Sequence, residues 1–243
     1  MSLPKLAVTK HKLKLPSTGE EILYRPFLVK EEKILMMALQ GQDTVDVVQA
    51  LRDVIESCVE SNIDIKKLTM FDIEYVFLQL RARSVGDTIQ LTYSSPENLC
   101  PDNKTQCSFA IEINIDEIKI DKQKDHKDLI DLTESIKVKL KYPEIEMANS
   151  LTGKSQSELV DATFQMIGQS IEYIMDGVEM HNPADYTEKE LDDFLNSLST
   201  EQFQKIQKFF DTMPRLRHEV TGKCSVCGKE NKRVLEGLGD FFA

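Results

Sequence analysis

Hydrophobic positions along the chain change period several times, and each change marks a new element. Near the start, Thr9, His11, Leu13 and Leu15 alternate with Val8, Lys10, Lys12 and Lys14. Pro16-Ser-Thr-Gly19 then offers a turn and Ile22-Leu-Tyr-Arg a returning strand, so residues 7–28 predict a β-hairpin. The period next becomes helical. Ile34, Leu35, Met36, Met37 and Leu39 form an apolar run ended by Gly41. Asp43 or Thr44 can cap a second helix, along which Val48, Leu51, Ile55, Cys58 and Val59 recur on one face. Thr69-Met-Phe-Asp72 has the form of a capping box ahead of Ile73, Val76, Phe77 and Leu80.

A two-residue period returns after Gly86. Ile89, Leu91 and Tyr93 predict one strand of a hairpin, and Phe109, Ile111, Ile113 and Ile115 the other. Residues 116–136 are dense in mixed charge and lack a period, with residues 122–127 reading as an exposed loop. Ile136, Val138 and Leu140 predict a strand running to Pro143.

Three helices are expected beyond it. Phe164, Ile167, Ile171 and Ile174 share the face of the first. Thr187-Glu-Lys-Glu190 caps the second, with Leu191, Phe194, Leu195 and Leu198. Ser199-Thr-Glu-Gln202 opens the third, bearing Phe203, Ile206, Phe209 and Phe210 and stopped by Pro214. Leu216-Arg-His-Glu-Val220 and Lys232-Arg-Val-Leu235 predict a closing hairpin.

Together these elements predict an α+β fold, mostly helical, with an N-terminal β-hairpin and a split zinc-ribbon-like β unit joining 86–115 to 215–236. A helical insertion at 151–214 and a flexible charged loop at about 116–136 would separate its halves within a single compact domain, 1–243. The 243 residues, 41% of them hydrophobic, are enough for a substantial core.

Composition narrows the function. The chain has no apolar run of eighteen residues, and Met1-Ser-Leu-Pro-Lys-Leu-Ala lacks the apolar segment of a signal peptide. The expectation is synthesis and folding in a cytosol, away from membranes. A formal net charge of −11 argues against nucleic-acid binding, whose affinity comes from lysine and arginine neutralising phosphates. The best basic patch, Lys10-His11-Lys12-Leu13-Lys14, reads more simply as the solvated face of a strand.

Cysteine spacing carries the sharpest chemistry. Cys224-Ser-Val-Cys227-Gly228 is a knuckle in which two thiolates can face one ion, with glycine supplying a positive φ. Cys100-Pro-Asp-Asn-Lys-Thr-Gln-Cys107 places a second pair at the tip of the other hairpin, with six residues between its cysteines against the usual two to four. Cys100, Cys107, Cys224 and Cys227 are therefore candidate ligands of one structural Zn2+. Reduced cysteines in ordinary loops, a disulfide pair and a redox pair are the competing readings. His218 is a candidate substitute ligand, and Cys58, on a helical apolar stripe, is expected in the core.

Catalytic signals are weaker. Ala148-Asn-Ser-Leu-Thr-Gly153-Lys154-Ser155 meets the loosest phosphate-loop pattern, with Lys154 as its lysine. Pro143 interrupts the required strand, Ala148 replaces the first glycine, and the plainer reading is a helix start at 153–157. His11, His126, His181 and His218 sit in no nucleophile motif, and acid/base catalysis finds no specific support.

The C-terminal third, Ser199-Thr-Glu-Gln-Phe-Gln-Lys-Ile-Gln-Lys-Phe-Phe-Asp-Thr-Met-Pro-Arg-Leu-Arg-His, then Lys223-Cys-Ser-Val-Cys-Gly and Leu235-Glu-Gly-Leu-Gly-Asp-Phe-Phe, resembles the baseplate hub proteins of T-even-like contractile-tailed phages. Tyr24-Arg-Pro-Phe-Leu-Val-Lys-Glu-Glu-Lys-Ile-Leu is similar to the opening of the same family. The resemblance implies a non-enzymatic hub subunit or hub assembly factor that contacts other baseplate hub proteins. It would act in the host cytoplasm during assembly and, as a subunit, in the tail baseplate of the virion. A zinc-ribbon adaptor in a nucleic-acid or transcription complex is the alternative, and an NTPase the third. Leu238, Phe241 and Phe242, at the end of the chain, are expected to dock on the protein's own core rather than on a partner.

Overall fold

The computed structural model describes residues 7–41, 44–100, 106–145, 147 and 156–242. Their contacts divide them into two compact units. One gathers the described residues up to Ile65, Phe71–Asp121 and those from Arg215 onward; the other holds the described residues of Lys66–Met70 and Lys122–Pro214.

The first unit opens with the expected hairpin, β1 (His11–Lys14) and β2 (Glu21–Tyr24), antiparallel with Leu13 opposite Ile22. Helices α1 (Val29–Gly41) and α2 (Thr44–Cys58) follow. The end of α2 is tied back to β2 by two backbone bonds, Arg25 N to Cys58 O and Glu60 N to Leu23 O. Cys58 is fully buried there, as its place on the apolar stripe predicts. Helix α3 (Met70–Ser84) buries Ile73, Val76, Phe77 and Leu80 and leads into the antiparallel pair β3 (Thr88–Leu99) and β4 (Gln106–Asn114). A short strand β5 (Lys119–Asp121) pairs with β10 (Arg215–Lys223), which pairs in turn with β11 (Glu230–Glu236), giving the order β11-β10-β5.

One core lies under these two sheets. Leu78 and Ala82 from α3 meet Ile89, Leu91, Phe109, Ile111 and Ile113 from β3 and β4, with Leu216, Val220 and Leu235 from the other sheet. The period-two alternation of both hairpins makes this possible, since it turns every second side chain inward. The last helix, α7 (Gly237–Phe242), caps that core with Phe241 and Leu238.

The second unit is a four-stranded antiparallel sheet with helices against it. Its strands are β6 (Leu129–Asp131), β7 (Ile136–Leu140), β8 (Ile171–Asp176) and β9 (Glu179–His181), hydrogen-bonded in that order. The helices are α4 (Gln156–Gln169), α5 (Glu188–Asn196) and α6 (Thr200–Thr212). Two of the three predicted capping boxes are formed here: Thr187 with Glu190 opens α5, and Ser199 with Gln202 opens α6. Val138, Leu140, Ile167, Leu195, Ile206 and Phe209 make the core of this unit. Helix α7 (Gly237–Phe242) belongs to the first unit and completes the chain order.

The expectation of a mostly helical protein is corrected. Helix accounts for 42% and strand for 31%, spread over several small sheets. The excess helix was predicted at Ile171 and Ile174, whose spacing of three continues the face of Phe164 and Ile167. Instead α4 stops at Gln169. Ser170, fully buried, bonds its hydroxyl back to the Met166 carbonyl, and Ile171-Glu-Tyr-Ile-Met-Asp176 runs on as β8 beside β7. A segment rich in β-branched and aromatic residues gains more as an inner strand than as two further helical turns. Strands β5 and β6, three residues each, lie in the charged segment that shows no period. No helix among the described residues is long and apolar enough to cross a membrane.

Candidate metal centre

The two hairpins bring their cysteines to one place. Cys107 is the second residue of β4 and Cys100 follows β3 directly, while Cys224 and Cys227 lie in the turn between β10 and β11. That turn is held by Cys224 N to Lys229 O at 2.9 Å and Gly228 N to Cys224 O at 2.9 Å. Gly228 has φ 71°, the left-handed conformation that the knuckle requires of its fifth residue. Ser225 N reaches Ser108 O at 3.3 Å, bonding the second tip to β4 itself.

A second glycine sets how closely the hairpins approach. An ideal Cβ on Gly222 would stand 2.3 Å from Cδ2 of the buried Phe109. Only a residue without a side chain lets β10 lie against that ring, two residues before Cys224.

The four sulfur atoms all lie within 4.8 Å of one another. Cys100 Sγ is 3.7 Å from Cys107 Sγ and 3.7 Å from Cys224 Sγ, and Cys107 Sγ is 3.6 Å from Cys227 Sγ. A tetrahedral zinc ion with Zn–S bonds of about 2.3 Å sets its sulfurs about 3.8 Å apart, so the donor set fits that ion in number, type and spacing. Disulfide sulfurs would sit about 2.05 Å apart, and the four are free thiols. Cys100, Cys107 and Cys224 are buried and Cys227 is half-buried, which excludes bulk water from most of the cluster.

Electrostatics bear on whether the cluster suits a cation. Burial pushes the Cys100 and Cys107 thiols up, and at Cys100 the neighbouring sulfurs push in the same direction. At Cys224 the backbone N–H groups of Cys227 and Val226 point at the sulfur and hold it down to about 6. Four adjacent thiolates repel one another, and a divalent ion is what allows them to be anionic together.

Other candidates stand elsewhere. His218 lies inside β10 opposite Leu235, and the sulfur cluster contains no histidine among the described residues. Residues 148–155, with Lys154, fall outside the described residues. Lys10, Lys12 and Lys14 are exposed, and Lys12 pairs with Glu21 at 2.7 Å and Lys10 with Glu60 at 2.6 Å. Phe241 is fully buried in the core that underlies both hairpins, and Leu238 packs against it, as expected of own-core docking. The side chain of Phe242 is not among those described.

Two supporting groups had no clear sequence signal. Gly222 and Ser108 belong to strands whose pattern says nothing of close approach. Glu31, within the charged run Lys30-Glu-Glu-Lys33, is 1% exposed.

Sequence comparison adds to this geometry. The family model described as T4 bacteriophage base plate protein matches residues 8–243. Baseplate hub assembly protein gp26 of Enterobacteria phage T4 is 28% identical over 222 residues, spanning 90% of either chain. No solved structure matches the chain.

Proposed function

Because the chain belongs to the T4 bacteriophage base plate protein family, we propose that it is a non-enzymatic participant in building the phage tail baseplate, a hub subunit or hub assembly factor that works through protein-protein contacts. The observation that carries this reading is a family match running through both cysteine pairs, joined to end-to-end similarity with a protein named for hub assembly. Its partners on this reading are other baseplate hub proteins, met in the cytoplasm of the infected bacterium.

The cysteine cluster gives that role a mechanical basis. Zn2+ held by Cys100, Cys107, Cys224 and Cys227 has no open position for water, so its part is to clamp two hairpins that are remote in sequence. A structural zinc contributes on the order of 10 kcal/mol to folding. That is enough to keep β3–β4 and β10–β11 joined while other subunits load the protein.

A phage with a nonsense codon in this gene tests the assembly reading. Infected cells should accumulate incomplete hubs and recover complete baseplates when the protein is supplied in trans. Normal baseplates without the protein would overturn it. Mass spectrometry of purified virions beside the infected-cell lysate then separates subunit from assembly factor.

A further inference from the structure

The core of the second unit stays open at one end, and carboxylates rim the opening. Strand pairing sets Ile136 opposite Asp176, Ile174 opposite His181 and Asp176 opposite Glu179, so these side chains share one face of the four-stranded sheet. Leu191 and Phe194 of α5 face them across a cavity of about 410 Å³, a volume within the range of ligand pockets. Ile136, Ile174, Leu191 and Phe194 are only half-buried there. Asp176, His181, Tyr186 and Glu190 complete the wall.

Local bonds hold this rim in shape. The Tyr186 hydroxyl and His181 Nδ1 share a hydrogen bond of 2.7 Å, and the turn Pro183–Asp185 between them is capped by Asn182, whose side chain accepts the Ala184 N–H. Glu190 Oε2 accepts the Thr187 N–H and the Thr187 hydroxyl, each at 2.8 Å, and the first of these bonds keeps the carboxyl below its ordinary value and ionised. Its other oxygen and the Asp176 carboxylate have no partner among the described residues.

The charge here is not cancelled from within. Between Asp176 and Glu190 the chain carries Asp176, Glu179, Asp185, Glu188 and Glu190 against a single lysine, Lys189, and none of these carboxylates is ion-paired among the described residues. Lys137, next to Ile136, falls on the opposite face of the sheet and bonds Asp131 at 2.9 Å.

We infer that this cavity receives an arginine side chain from a basic segment of another protein, with its aliphatic stem against Ile136, Ile174 and Leu191 and its guanidinium beside the Tyr186 ring, paired with Asp176 and Glu190. Arginine suits the site better than lysine because its planar fork can stack on a ring and donate to two carboxylates at once. A metal ion does not suit it, since only the four cysteines draw three or more ligating side chains together among the described residues. The biological setting rests on the assembly reading, whereas the test does not involve baseplates.

The test uses the isotopically labelled full-length protein and a short extended peptide of threonine and valine around a central arginine, beside matched peptides with lysine or uncharged citrulline in that place. Amide NMR titration should show saturable shifts centred on residues 174–194. The arginine peptide should bind more tightly than the lysine one, and the citrulline peptide more weakly than arginine by about tenfold or more, as for the loss of a charge-assisted pair. Combined Asp176→Asn and Glu190→Gln should weaken the arginine peptide by a similar factor and leave the citrulline peptide unchanged. Asp176 is exposed, and glutamine already closes the equivalent box at Gln202, so the double variant should melt with the wild type; should it unfold, Asp176→Asn alone decides. Four results overturn the inference: no saturable binding of the arginine peptide, citrulline bound as tightly as arginine, shifts centred away from this cavity, or a double variant that binds as the wild type does. None of them touches the assembly reading, which falls only if baseplates form normally without the protein.

Discussion

Cys107 Sγ and Cys227 Sγ lie 3.6 Å apart across 120 positions of sequence. Closing a loop of that length costs conformational entropy that a pair of thiols cannot offset, whereas a shared ion can. The purified protein should therefore contain one zinc per chain, measured by plasma emission spectroscopy. Cys224→Ser should release it and loosen both hairpins together, seen as increased amide exchange in β3–β4 as well as in β10–β11. Cys58→Ser, outside the cluster, should keep the metal. Unchanged zinc content and melting in Cys224→Ser would remove the clasp from the picture.

Gly222→Ala tests the approach of the hairpins without touching a ligand. The added methyl would need Phe109, a buried ring, to move by more than half an ångström from contacts of 2.3 to 3.2 Å. Overpacking of this kind costs about 1–3 kcal/mol. Because Cys224 is only two residues away, zinc affinity should fall as well, measured by competition with a chromophoric chelator. An alanine variant with wild-type affinity and stability would mean the ring has room to yield.

What could be read in the chain depended on how local the controlling interaction is. The boxes at Thr187–Glu190 and Ser199–Gln202 close within one helical turn, so their residues announce them. The cysteine hairpins were legible because alternation and turn residues fall within each hairpin; that the two tips meet is a long-range fact that zinc chemistry suggested. Strands β5 and β8 were not legible for the opposite reason. Ile120 is a strand residue because Leu216 pairs with it, and Ile174 because Val138 does, and neither partner is near in sequence. The apolar run of α1 was read as an ordinary helix, and which side of it is buried depends on α2 and β2, which period alone does not reveal.

Glu31 shows how much hidden structure a charged run can hold. Arg25 Nη2 donates to Glu31 Oε1 at 2.9 Å, Ser57 Oγ donates to the same oxygen at 2.7 Å, and the Leu28 N–H donates to Oε2 at 2.9 Å. Burial alone would push this carboxyl up, but the bonds from Arg25, Ser57, Leu28 and Lys30 together outweigh it and hold it down to about 2. Glu31→Gln leaves the half-buried Arg25 without its counter-charge and should cost about 3 kcal/mol, the lower end of the penalty for breaking a buried pair from one side. The sign with pH follows. A depressed folded value means stability is present above the ordinary 4.5 and is lost as pH falls toward 2. Denaturant midpoints at pH 7 and in acid should show the gap between wild type and Glu31→Gln narrowing in acid; a constant gap would rule the ion pair out as its cause.

Glu74 has the reverse linkage, at the junction that holds the end of the chain. It lies on α3, and its carboxylate accepts the Leu238 N–H at 3.3 Å, at the start of the helix whose Phe241 enters the core. Burial pushes this carboxyl up to about 7, the Leu238 N–H opposes the rise, and Glu236 nearby adds to it. A raised folded value means the fold favours the protonated form: the contribution is fully present below 4.5 and disappears as pH rises through 7. Above that pH, an anion is left in a largely apolar junction, and docking of α7 should weaken. Glu74→Gln keeps the shape and removes the titration, so its stability relative to wild type should grow between pH 5 and pH 8. Amide exchange should locate the gain in α7, where the Tyr93 hydroxyl also holds the Asp240 carbonyl. If wild type and Glu74→Gln instead follow parallel stability curves across that range, the carboxylate is solvated in both forms and the end of the chain is held by the burial of Phe241 alone.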